Sequence, residues 1–485
     1  MAKKVVVIGS GPSGWATAQR LVEFGIEVDV ISPDVNEHDE VGIDSSNSSA
    51  EINTKLFKGS DFPYRDFPYG PKTERIGVST YSSFSRSGLS LVWGATMLPY
   101  SKIELSTWPV DLEGLYSGYG WVTSNIPISG REDSLQEEFK DYISSPPLIP
   151  TSRIRRLLDK GQNLNDPEFI IASPRLAVQT SQYAKSGCNY CGLCLTGCPK
   201  NYIWNAPSIN NDRLKYISGF RVIDIVKDHS SFSIRAISKQ GLTQDFEGYE
   251  RVFVAAAPIE SFRILATSKM VSSIVKLKDS QTFFVPLLLS PQYGSVEKSS
   301  YSLSQAFALI KQDKNFLSHL QIYEFSEDYI TRVYQIFPFL RIIPKNIISI
   351  VLRRMFVGIG YLHSDDSFEM LMKLESDGAV SVSNHHLREL KTRKRVINIV
   401  STYSEKLRKL GVFPVKFLTQ ISPPGGGVHF GGWLPMGTLS DSLGQPFGQF
   451  GVHVVDSSVF SSIPPGPITF TIMANAVRIV EEIYG

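Results

Sequence analysis

The sequence predicts an α/β fold, and three patterns of residues carry this prediction. A short β-branched run at residues 5–8 is followed by a glycine-rich turn and an apolar-periodic segment that ends at Gly25, which gives the order strand, turn, helix. A second apolar run, at residues 252–254, is typical of a strand in a buried core. Near the end of the chain, apolar residues recur at helical spacing, namely Ile472, Ala476, Ile479 and Ile483.

The turn after the first strand follows the pattern GxGxxG, with glycines at positions 9, 11 and 14. In a dinucleotide site, the first glycine permits the turn, the second lets phosphates approach the backbone, and the third allows close packing of helix on strand. Pro12 suits the first helical turn, where its missing N–H is not required. We therefore predict a pyrophosphate site at Gly9, Gly11, Pro12, Ser13 and Gly14.

A ribose-binding carboxylate is predicted after the second strand. That strand is expected at residues 27–31, and an acidic residue at the end of such a strand binds ribose hydroxyls in dinucleotide-binding folds. The chain reads Ser32-Pro33-Asp34 at this place, which makes Asp34 the candidate.

The four cysteines of the chain all lie within eleven residues, at Cys188, Cys191, Cys194 and Cys198, and are followed by a proline. The spacing CxxCxxCxxxCP is the ligand pattern of bacterial ferredoxins for an iron–sulfur cluster. Its short loops let the first three thiolates reach different irons of one cuboidal cluster. We predict a 4Fe-4S cluster held by all four thiolates.

Other interpretations of the cysteine run stay open. A structural zinc site with four thiolates normally separates two CxxC pairs by about a dozen residues or more, which this run does not do. In two-cluster ferredoxins the fourth cysteine of the run ligates the other cluster, and this chain has no cysteine left for a second cluster. A three-iron cluster (3Fe-4S), or a non-cysteine ligand in place of Cys198, is therefore the alternative.

The charge balance argues against nucleic acid as a partner. Lys and Arg total 49 against 47 acidic residues, so the chain has no strong field to recruit a polyanion. Residues 1–4 run straight into the first strand without room for a signal peptide, and cluster thiolates persist in a reducing compartment. We therefore expect a cytoplasmic protein. The sequence has no uninterrupted apolar stretch of ~18 residues, so we expect no membrane-spanning segment.

Several segments follow one another in an order that points to a protein family. Near the C-terminus, residues 429–437 read HFGGWLPMG and residues 451–460 read GVHVVDSSVF, before a closing helix from about Thr471. Earlier segments are residues 87–94 (SGLSLVWG) with Pro99, residues 108–109 (WP) and residues 251–263 (RVFVAAAPIESFR). Together they span roughly half of the chain by motif and resemble the glucose-methanol-choline (GMC) flavin oxidoreductases.

The resemblance implies a domain organisation. FAD would be bound in an extended conformation by a discontinuous Rossmann-type domain formed by residues 1–100, 205–275 and 415–485. An α+β substrate-binding domain, an antiparallel sheet with helices, would be formed by residues 276–414. We expect residues 101–204 to be a cap segment whose inserted iron–sulfur loop is seated beside the flavin.

The resemblance also implies the chemistry. In the family, an alcohol carbon gives a hydride to the flavin while a histidine takes the hydroxyl proton, and that histidine matches His429. An imidazole suits this task because its unperturbed pKa is near ~6.5. Asp456 resembles the family residue near the ribityl or pyrophosphate part of the flavin, and Trp93 and Gly94 lie in the flavin-contacting loop.

One position departs from the family pattern. The family usually has a second His or Asn just before a Pro in the final segment, whereas this chain reads Pro464-Pro465-Gly466-Pro467, which offers no side-chain donor or acceptor. A second polar group must therefore come from elsewhere. His363, on a strand predicted at residues 355–363, faces the flavin in one interpretation and is a hydrogen-bonded structural histidine in the other.

A flavin and a cluster together favour a dehydrogenase, because a flavin accepts two electrons and a cluster carries one at a time. We expect oxidation of a CH–OH group of a sugar or polyol-like small molecule, with electrons relayed to an external one-electron carrier such as ferredoxin. Two alternatives stay open. One is a ferredoxin-driven reductase of a carbonyl or activated double bond, and the other is a non-catalytic electron-transfer module.

A basic apolar segment extends over residues 334–362, with a helix predicted at residues 347–356 and Asn346 as its cap. Its cations are Arg341, Lys345, Arg353 and Arg354. One interpretation is peripheral membrane contact that reaches a lipid-linked substrate. The other is packing against the core or another domain, with the basic tips in solvent.

Overall fold

The computed structural model describes residues 4–36, 38–39, 61–164, 166–180, 187–228, 230–297, 299–311, 317–326, 330, 333–334, 338–385 and 388–485. The helices in these ranges are α1 (Pro12–Glu23), α2 (Lys102–Leu105), α3 (Leu112–Asn125), α4 (Ser152–Gln162), α5 (Ala257–Thr267), α6 (Lys345–Leu352), α7 (Glu389–Arg408) and α8 (Thr469–Tyr484). No helix of this described part is long and apolar enough to cross a bilayer.

The strands of the described ranges form four sheets. The first ten are β1 (Lys4–Ile8), β2 (Glu27–Ser32), β3 (Thr73–Ile76), β4 (Phe169–Ala172), β5 (Leu214–Ser218), β6 (Phe220–Asp228), β7 (Ser231–Ser238), β8 (Thr243–Tyr249), β9 (Arg251–Val254) and β10 (Ile274–Asp279). The others are β11 (Thr282–Leu289), β12 (Ala306–Lys311), β13 (Leu317–Tyr323), β14 (Met355–Tyr361), β15 (Glu369–Leu374), β16 (Val380–His385), β17 (Val412–Pro414), β18 (Gln420–Ile421), β19 (Phe430–Gly431) and β20 (Val452–Val454).

A parallel sheet collects strands from both ends and the middle of the chain, in the order β20-β9-β1-β2-β5. A parallel sheet is stable when both faces are covered, and the predicted core strand at residues 252–254 is fully buried in β9. The C-terminal helix α8 packs against α1 and α3. Gly118 of α3 permits this contact, because a Cβ there would overlap the carbonyl oxygen of Ala474.

An antiparallel sheet lies on the other side of the molecule, in the order β17-β11-β14-β13-β12-β4, with β18 also paired to β11. Helices α4 and α7 bury one of its faces in a separate apolar core that includes Leu157 and Val400. His319 of β13 pairs directly with Tyr361 of β14, so both side chains lie on the same face. The edge strand β4 lies inside the range 101–204 that we expected to form the cap.

Two further sheets complete the fold. One is a mixed sheet in the order β19-β10-β15-β16-β3, in which β3 runs parallel to β16. Its strand β19 pairs antiparallel with β10, and this pairing fixes the position of the residue before it, His429. The other is the antiparallel meander β6-β7-β8.

Three predicted bounds in and beside the basic apolar segment are wrong. Helix α6 begins at Lys345 after Pro344 rather than after an Asn346 cap, and it ends at Leu352 before the chain enters β14. Strand β14 ends at Tyr361, where its pairing with β11 ends. His363 therefore lies beyond the strand, where its Nδ1 accepts the Asp365 backbone N–H at 3.1 Å.

Candidate active site

A cavity of about 390 Å³ lies at the carboxyl edge of the parallel sheet. Ligands bind at this edge in open α/β sheets, because the loops that follow neighbouring strands meet there. The loops after β1 and β9, the loop around residue 93 and the segment before β19 all reach its wall. Its far side is formed by β13 and β14 of the antiparallel sheet, which contribute Gln321, Tyr323 and Tyr361.

The glycine turn lies where the sequence predicts it, with residues 9–13 on the cavity wall. Gly9 has φ +106°, and a Cβ at Gly14 would overlap the Gly9 carbonyl oxygen, so both positions require glycine. In contrast, no atom lies within 4 Å of the place where a Cβ at Gly11 would stand. Gly11 precedes the first helical residue, Pro12, so the N-terminus of α1 is open to a ligand.

Asp34 lies at the end of β2 but lines a neighbouring opening of about 650 Å³ rather than the main cavity. Its carboxylate forms an ion pair with Arg86 at 2.5 Å and accepts a hydrogen bond from Ser32 Oγ at 2.6 Å. The Arg86 guanidinium also donates to Ser218 Oγ at 2.7 Å. This pairing was not predictable, because Arg86 comes from a loop that is distant in the sequence.

The loop of Trp93 and Gly94 forms another part of the cavity wall. Trp93 Nε1 donates to the carbonyl of Trp204 at 2.8 Å, and the two rings contact edge-on with centroids 6.0 Å apart. Gly94 is exposed, and a Cβ there would lie 3.6 Å from the Tyr323 hydroxyl. The loop is thus held on one side by the segment that follows the cysteines and faces β13 on the other.

Asp456 follows β20 and lines the cavity near the start of α5. Its Oδ2 accepts from Ser261 Oγ at 2.5 Å, and its Oδ1 accepts the Ser458 backbone N–H at 2.9 Å. Burial raises the pKa of this carboxyl. Asp456 therefore fixes the chain after β20 onto α5 and presents its remaining surface to the cavity.

His429 lies on the cavity wall just before β19 and is half-buried as a residue, with its ring Nδ1 buried. Its backbone carbonyl accepts the Ser280 N–H at 2.9 Å, and its ring stacks on Tyr361 with centroids 5.1 Å apart. Among the described residues, its Nδ1 has no hydrogen-bond partner. Burial lowers the pKa of His429 to about 4, so the imidazole is neutral and able to accept a proton near neutral pH.

A second imidazole, His319, lies close to the first and was missed in the sequence. It is buried, its ring centroid lies 6.2 Å from that of Tyr361, and its Nε2 has no hydrogen-bond partner in the described part of the chain. A Cβ at Gly466 would lie 3.1 Å from its Nδ1. Burial, with the charge of His429 as a smaller cause, lowers the pKa of His319 to about 3.

The signal for these missed residues lies in the alternation of β13. Polar His319 and Gln321 alternate with apolar Leu320 and Ile322, which places the polar residues on one face of a strand. Tyr323 continues that face, and its hydroxyl donates to Gln321 Oε1 at 2.8 Å. The alternation is visible in the sequence, but the face that meets the cavity is decided by the pairing of β13 with β14.

His363, the other candidate from the sequence, does not reach the cavity wall. It is buried, and its Nε2 lies 3.4 Å from the carboxylate of Glu104. Glu104 in turn accepts from Ser462 Oγ at 2.9 Å. His363 is thus a hydrogen-bonded structural histidine, which is one of the two interpretations of the sequence.

The wall of the cavity also contains a buried charge cluster. Arg221 of β6 pairs with Glu260 of α5 at 2.7 Å, and Arg263 pairs with the same carboxylate at 3.1 Å. Burial alone would raise the pKa of Glu260, but the two guanidinium charges outweigh it and lower the pKa to about 2. The cluster joins β6 to α5 and leaves a fixed cation, Arg221, on the wall.

The cysteines lie on one loop against the core. Cys194 is buried, Cys188 and Cys198 are partly buried, and Cys191 is exposed. Burial, and to a smaller extent the other three thiols, raises the pKa of Cys188 to about 11. No group of three or more His, Cys, Asp or Glu side chains is arranged to hold a metal ion within the described residues.

A small void connects the cysteine loop with the loop of Trp93. Ser90 and Trp93 line this void as well as the main cavity, and Cys198 lies on its other side. The backbone N–H of Tyr202 donates to Cys198 Sγ at 3.4 Å. The fourth cysteine and the cavity are therefore separated by a single layer of side chains.

A parallel sheet with a glycine turn at its carboxyl edge, joined across a cavity to an antiparallel sheet, has the architecture of the α/β folds in which dinucleotide sites occur. No protein-family model matches the sequence, and no curated protein matches it. Solved structures do resemble it. One is pyridoxine 4-oxidase from Mesorbium loti, which matches over 99% of this chain and 99% of its own with a TM-score of 0.62, at 14% sequence identity. This full-length likeness confirms the predicted fold class.

Proposed function

We propose that this protein is an FAD-dependent oxidoreductase of the GMC type that acts on a CH–OH group of a small molecule. One observation carries the proposal. The glycine turn, the loop of Trp93 and Gly94, Asp456 and His429 are far apart in the sequence and line the same cavity. The fold shared with pyridoxine 4-oxidase supports it, since that protein is by name an oxidase of pyridoxine.

The residues of the cavity fit FAD. The open space before Gly11, at the N-terminus of α1, suits a pyrophosphate, because the helix end presents backbone N–H groups and a partial positive charge. The opening beside Asp34 and Arg86 continues in the direction of the second strand and suits the adenosine end. When bound, FAD supplies the acceptor for a hydride, and the groups named here hold and orient it.

His429 takes the proton in this proposal. As an alcohol becomes a carbonyl, it loses a hydride from carbon and a proton from oxygen, and the proton needs a neutral base within reach. His429 is neutral because burial lowers its pKa, and its Nδ1 is unpartnered among the described residues. Tyr361 holds the ring from behind by stacking, which fixes the direction of the nitrogen.

His319 supplies the second polar group that the final segment lacks. Gly466 has no side chain, and the ring of His319 lies directly against it. His319 is not among the residues that line the cavity, but it lies on the face of β13 that presents Gln321 and Tyr323 to it. A neutral imidazole has one N–H donor and one acceptor nitrogen, which we propose to hold the substrate oxygen while His429 accepts the proton. The burial of both rings keeps both neutral near pH 7.

We propose a sugar or polyol as the substrate class. The far wall of the cavity offers the Gln321 amide and the Tyr323 hydroxyl, which are hydrogen-bonding groups suited to neighbouring hydroxyls. Tyr361 adds an aromatic surface at the same wall. Sugars combine hydroxyl rims with apolar ring faces, so these groups match that chemistry better than an aliphatic alcohol.

We further propose that the four cysteines hold an iron–sulfur cluster, 4Fe-4S or 3Fe-4S, that passes electrons to an external one-electron carrier such as ferredoxin. The support is the chemistry of four thiols within eleven residues and the thin layer between Cys198 and the cavity. The exposed Cys191 is on the side of the loop that faces solvent, where a carrier would dock.

Anaerobic purification tests the whole proposal. We expect about one FAD and four irons per chain, and bleaching of the flavin on addition of a sugar or polyol from a panel that also contains pyridoxine. His429→Ala should keep both cofactors and slow flavin reduction by ~100-fold or more. His385→Ala is the matched control, because His385 of β16 pairs with Glu369 of β15 and neither residue lines the cavity.

The same preparation separates the alternatives. A yellow protein that no alcohol bleaches, but that reduced ferredoxin bleaches and a carbonyl or alkene reoxidises, would replace the dehydrogenase by a reductase. A preparation that exchanges electrons with ferredoxin without turning over any substrate would be an electron-transfer module. Full-speed reduction in His429→Ala would remove that histidine from catalysis.

A further inference from the structure

An exposed apolar surface surrounds helix α6. It consists of Phe339, Ile342, Ile347, Ile350 and Val351, to which we refer as the apolar patch. Ile342 is 88% exposed, Phe339 68% and Ile350 62%, although isoleucine and phenylalanine are among the residues most often buried. Large apolar side chains that are exposed together over one short segment, residues 339–351, mark a surface that binds something.

Helix α6 contributes to the patch along one side. Ile347, Ile350 and Val351 recur at the spacing that places residues on one face of a helix, and all three are exposed. Of the residues of α6, all of which are described, only Ile348 is buried. With eight residues the helix is about 12 Å long, so it can lie along an interface but cannot cross a bilayer.

The charges around the patch have a single sign. Residues 338–354 include no Asp or Glu and carry four cations, a local charge of +4 against +2 for the whole chain. These exposed cations are Arg341, Lys345, Arg353 and Arg354. Exposed apolar side chains with cations around them match the boundary of a bilayer that contains acidic lipids, where apolar acyl chains lie beneath anionic headgroups.

We infer that residues 338–354 dock this protein peripherally on an anionic lipid surface. The apolar patch enters the boundary between headgroups and acyl chains while the cations contact lipid phosphates. A protein partner fits the observations less well, because the centres of protein interfaces are enriched in aromatic residues, whereas four of the five side chains of the apolar patch are aliphatic. The inference does not rest on the proposed function, since it concerns binding and not turnover.

The fold connects this surface to the cavity through one strand. Strand β14 begins at Met355, directly after the cations, and ends at Tyr361 on the cavity wall. Seven residues of extended chain span about 20 Å, so the cavity wall at Tyr361 lies no further than about that distance from the docked segment. A substrate or electron carrier anchored in the membrane is then within reach of the site.

Vesicle flotation with the full-length purified protein tests the inference. We expect the protein to float with vesicles of equimolar phosphatidylcholine and phosphatidylglycerol, and to stay in solution with phosphatidylcholine alone. Salt should weaken the binding, because exposed charges are screened. Failure to bind the acidic vesicles at low ionic strength would overturn the inference.

Paired variants show whether the patch itself binds. Ile342→Ser with Ile350→Ser should abolish flotation, and Arg341→Glu with Lys345→Glu should reduce binding by about fivefold or more per charge. All four side chains are exposed, so the fold should be retained. Leu242→Ser is the control, because Leu242 is 70% exposed outside this segment.

The alternative occupant is a second copy of the chain. If the serine variants convert a dimer to a monomer in sedimentation and leave vesicle binding unchanged, the surface is a protein interface and the lipid inference is wrong. Binding that is lost equally in Leu242→Ser would also overturn it, since the effect would not belong to residues 338–354.

Discussion

The rings of His429 and Tyr361 stack with their centroids 5.1 Å apart and their planes at 24°. The two residues come from different sheets, since His429 precedes β19 of the mixed sheet and Tyr361 ends β14 of the antiparallel sheet. Their contact therefore closes the cavity between the two layers. It also removes water from one face of the imidazole, which contributes to the low pKa of His429.

The rate of flavin reduction should fall in acid only near pH 4. His429 must be unprotonated to accept a proton, and burial lowers its pKa from 6.5 to about 4. Stopped-flow measurement of flavin reduction at a series of pH values detects this acid limb, the fall in rate near pH 4, and the His429→Gln variant should not show it. A limb near pH 6.5 would show that the imidazole is solvated in the working enzyme.

The same histidine should make the fold less stable in mild acid. Between pH 6.5 and about 4 the unfolded chain binds a proton at this position that the folded chain does not bind. The free energy of unfolding should therefore fall as pH drops through this window, and it should fall less in His429→Gln. Equal slopes of stability against pH in both proteins would contradict the burial of this ring.

His319 should act together with His429. We expect His319→Ala to slow flavin reduction by ~10–100-fold, and to add little in a His429→Ala background, because the effects of groups that share one substrate oxygen are not additive. Gly466→Ala should also slow it, since its Cβ would lie 3.1 Å from His319 Nδ1. Additive losses in the double variant would leave His319 with a structural role only.

Two glycines of the same turn should respond differently to alanine. Gly11→Ala adds a methyl group in open space where we propose the pyrophosphate, so the protein should fold and bind FAD more weakly. Gly14→Ala places its Cβ on the Gly9 carbonyl oxygen and should destabilise the fold itself. Thermal unfolding and FAD titration of both variants distinguish these effects. Unchanged FAD affinity in Gly11→Ala would move the phosphates elsewhere.

Cys198→Ser should separate the two halves of the proposed electron path. Flavin content and flavin reduction by substrate should stay within about twofold of the parent protein, while transfer to a one-electron carrier should be lost. Thr196→Ala, in the same loop with an exposed side chain, is the control. Iron and sulfide counts accompany the rates. Normal transfer to the carrier in a Cys198→Ser preparation that has lost its iron would remove the cluster from the path.

Local patterns predicted the parts of the site that depend on local geometry. The glycine turn needs specific backbone angles and close approaches, and these are encoded by residue type at fixed spacing, as at Gly9 and Gly14. The pairing of Arg86 with Asp34, and of His319 with Tyr361, depends on which loops and strands meet. That information is distributed over the whole chain, and short patterns do not contain it.

The bounds of the helix in the basic apolar segment also depend on more than the local sequence pattern. An asparagine cap is predicted from side-chain chemistry alone, yet here the helix begins at Lys345, two residues before the predicted first residue. It ends early because β14 takes up the chain from Met355. The exposure of Ile347 and Ile350 was equally out of reach, because apolar residues at helical spacing usually predict burial.

The order β20-β9-β1-β2-β5 has a consequence for synthesis on the ribosome. Strand β9 keeps one edge unpaired until β20 has been synthesised, and helix α1 is not packed against α8 until α8 has been synthesised. Strand β20 and helix α8 both come after every strand of the antiparallel sheet in the sequence. The nascent polypeptide thus exposes an unpaired strand edge while the residues of the antiparallel sheet are translated, which favours chaperone binding and aggregation. Loading of the FAD that we propose would then come late in synthesis, because the wall containing Asp456 does not exist earlier.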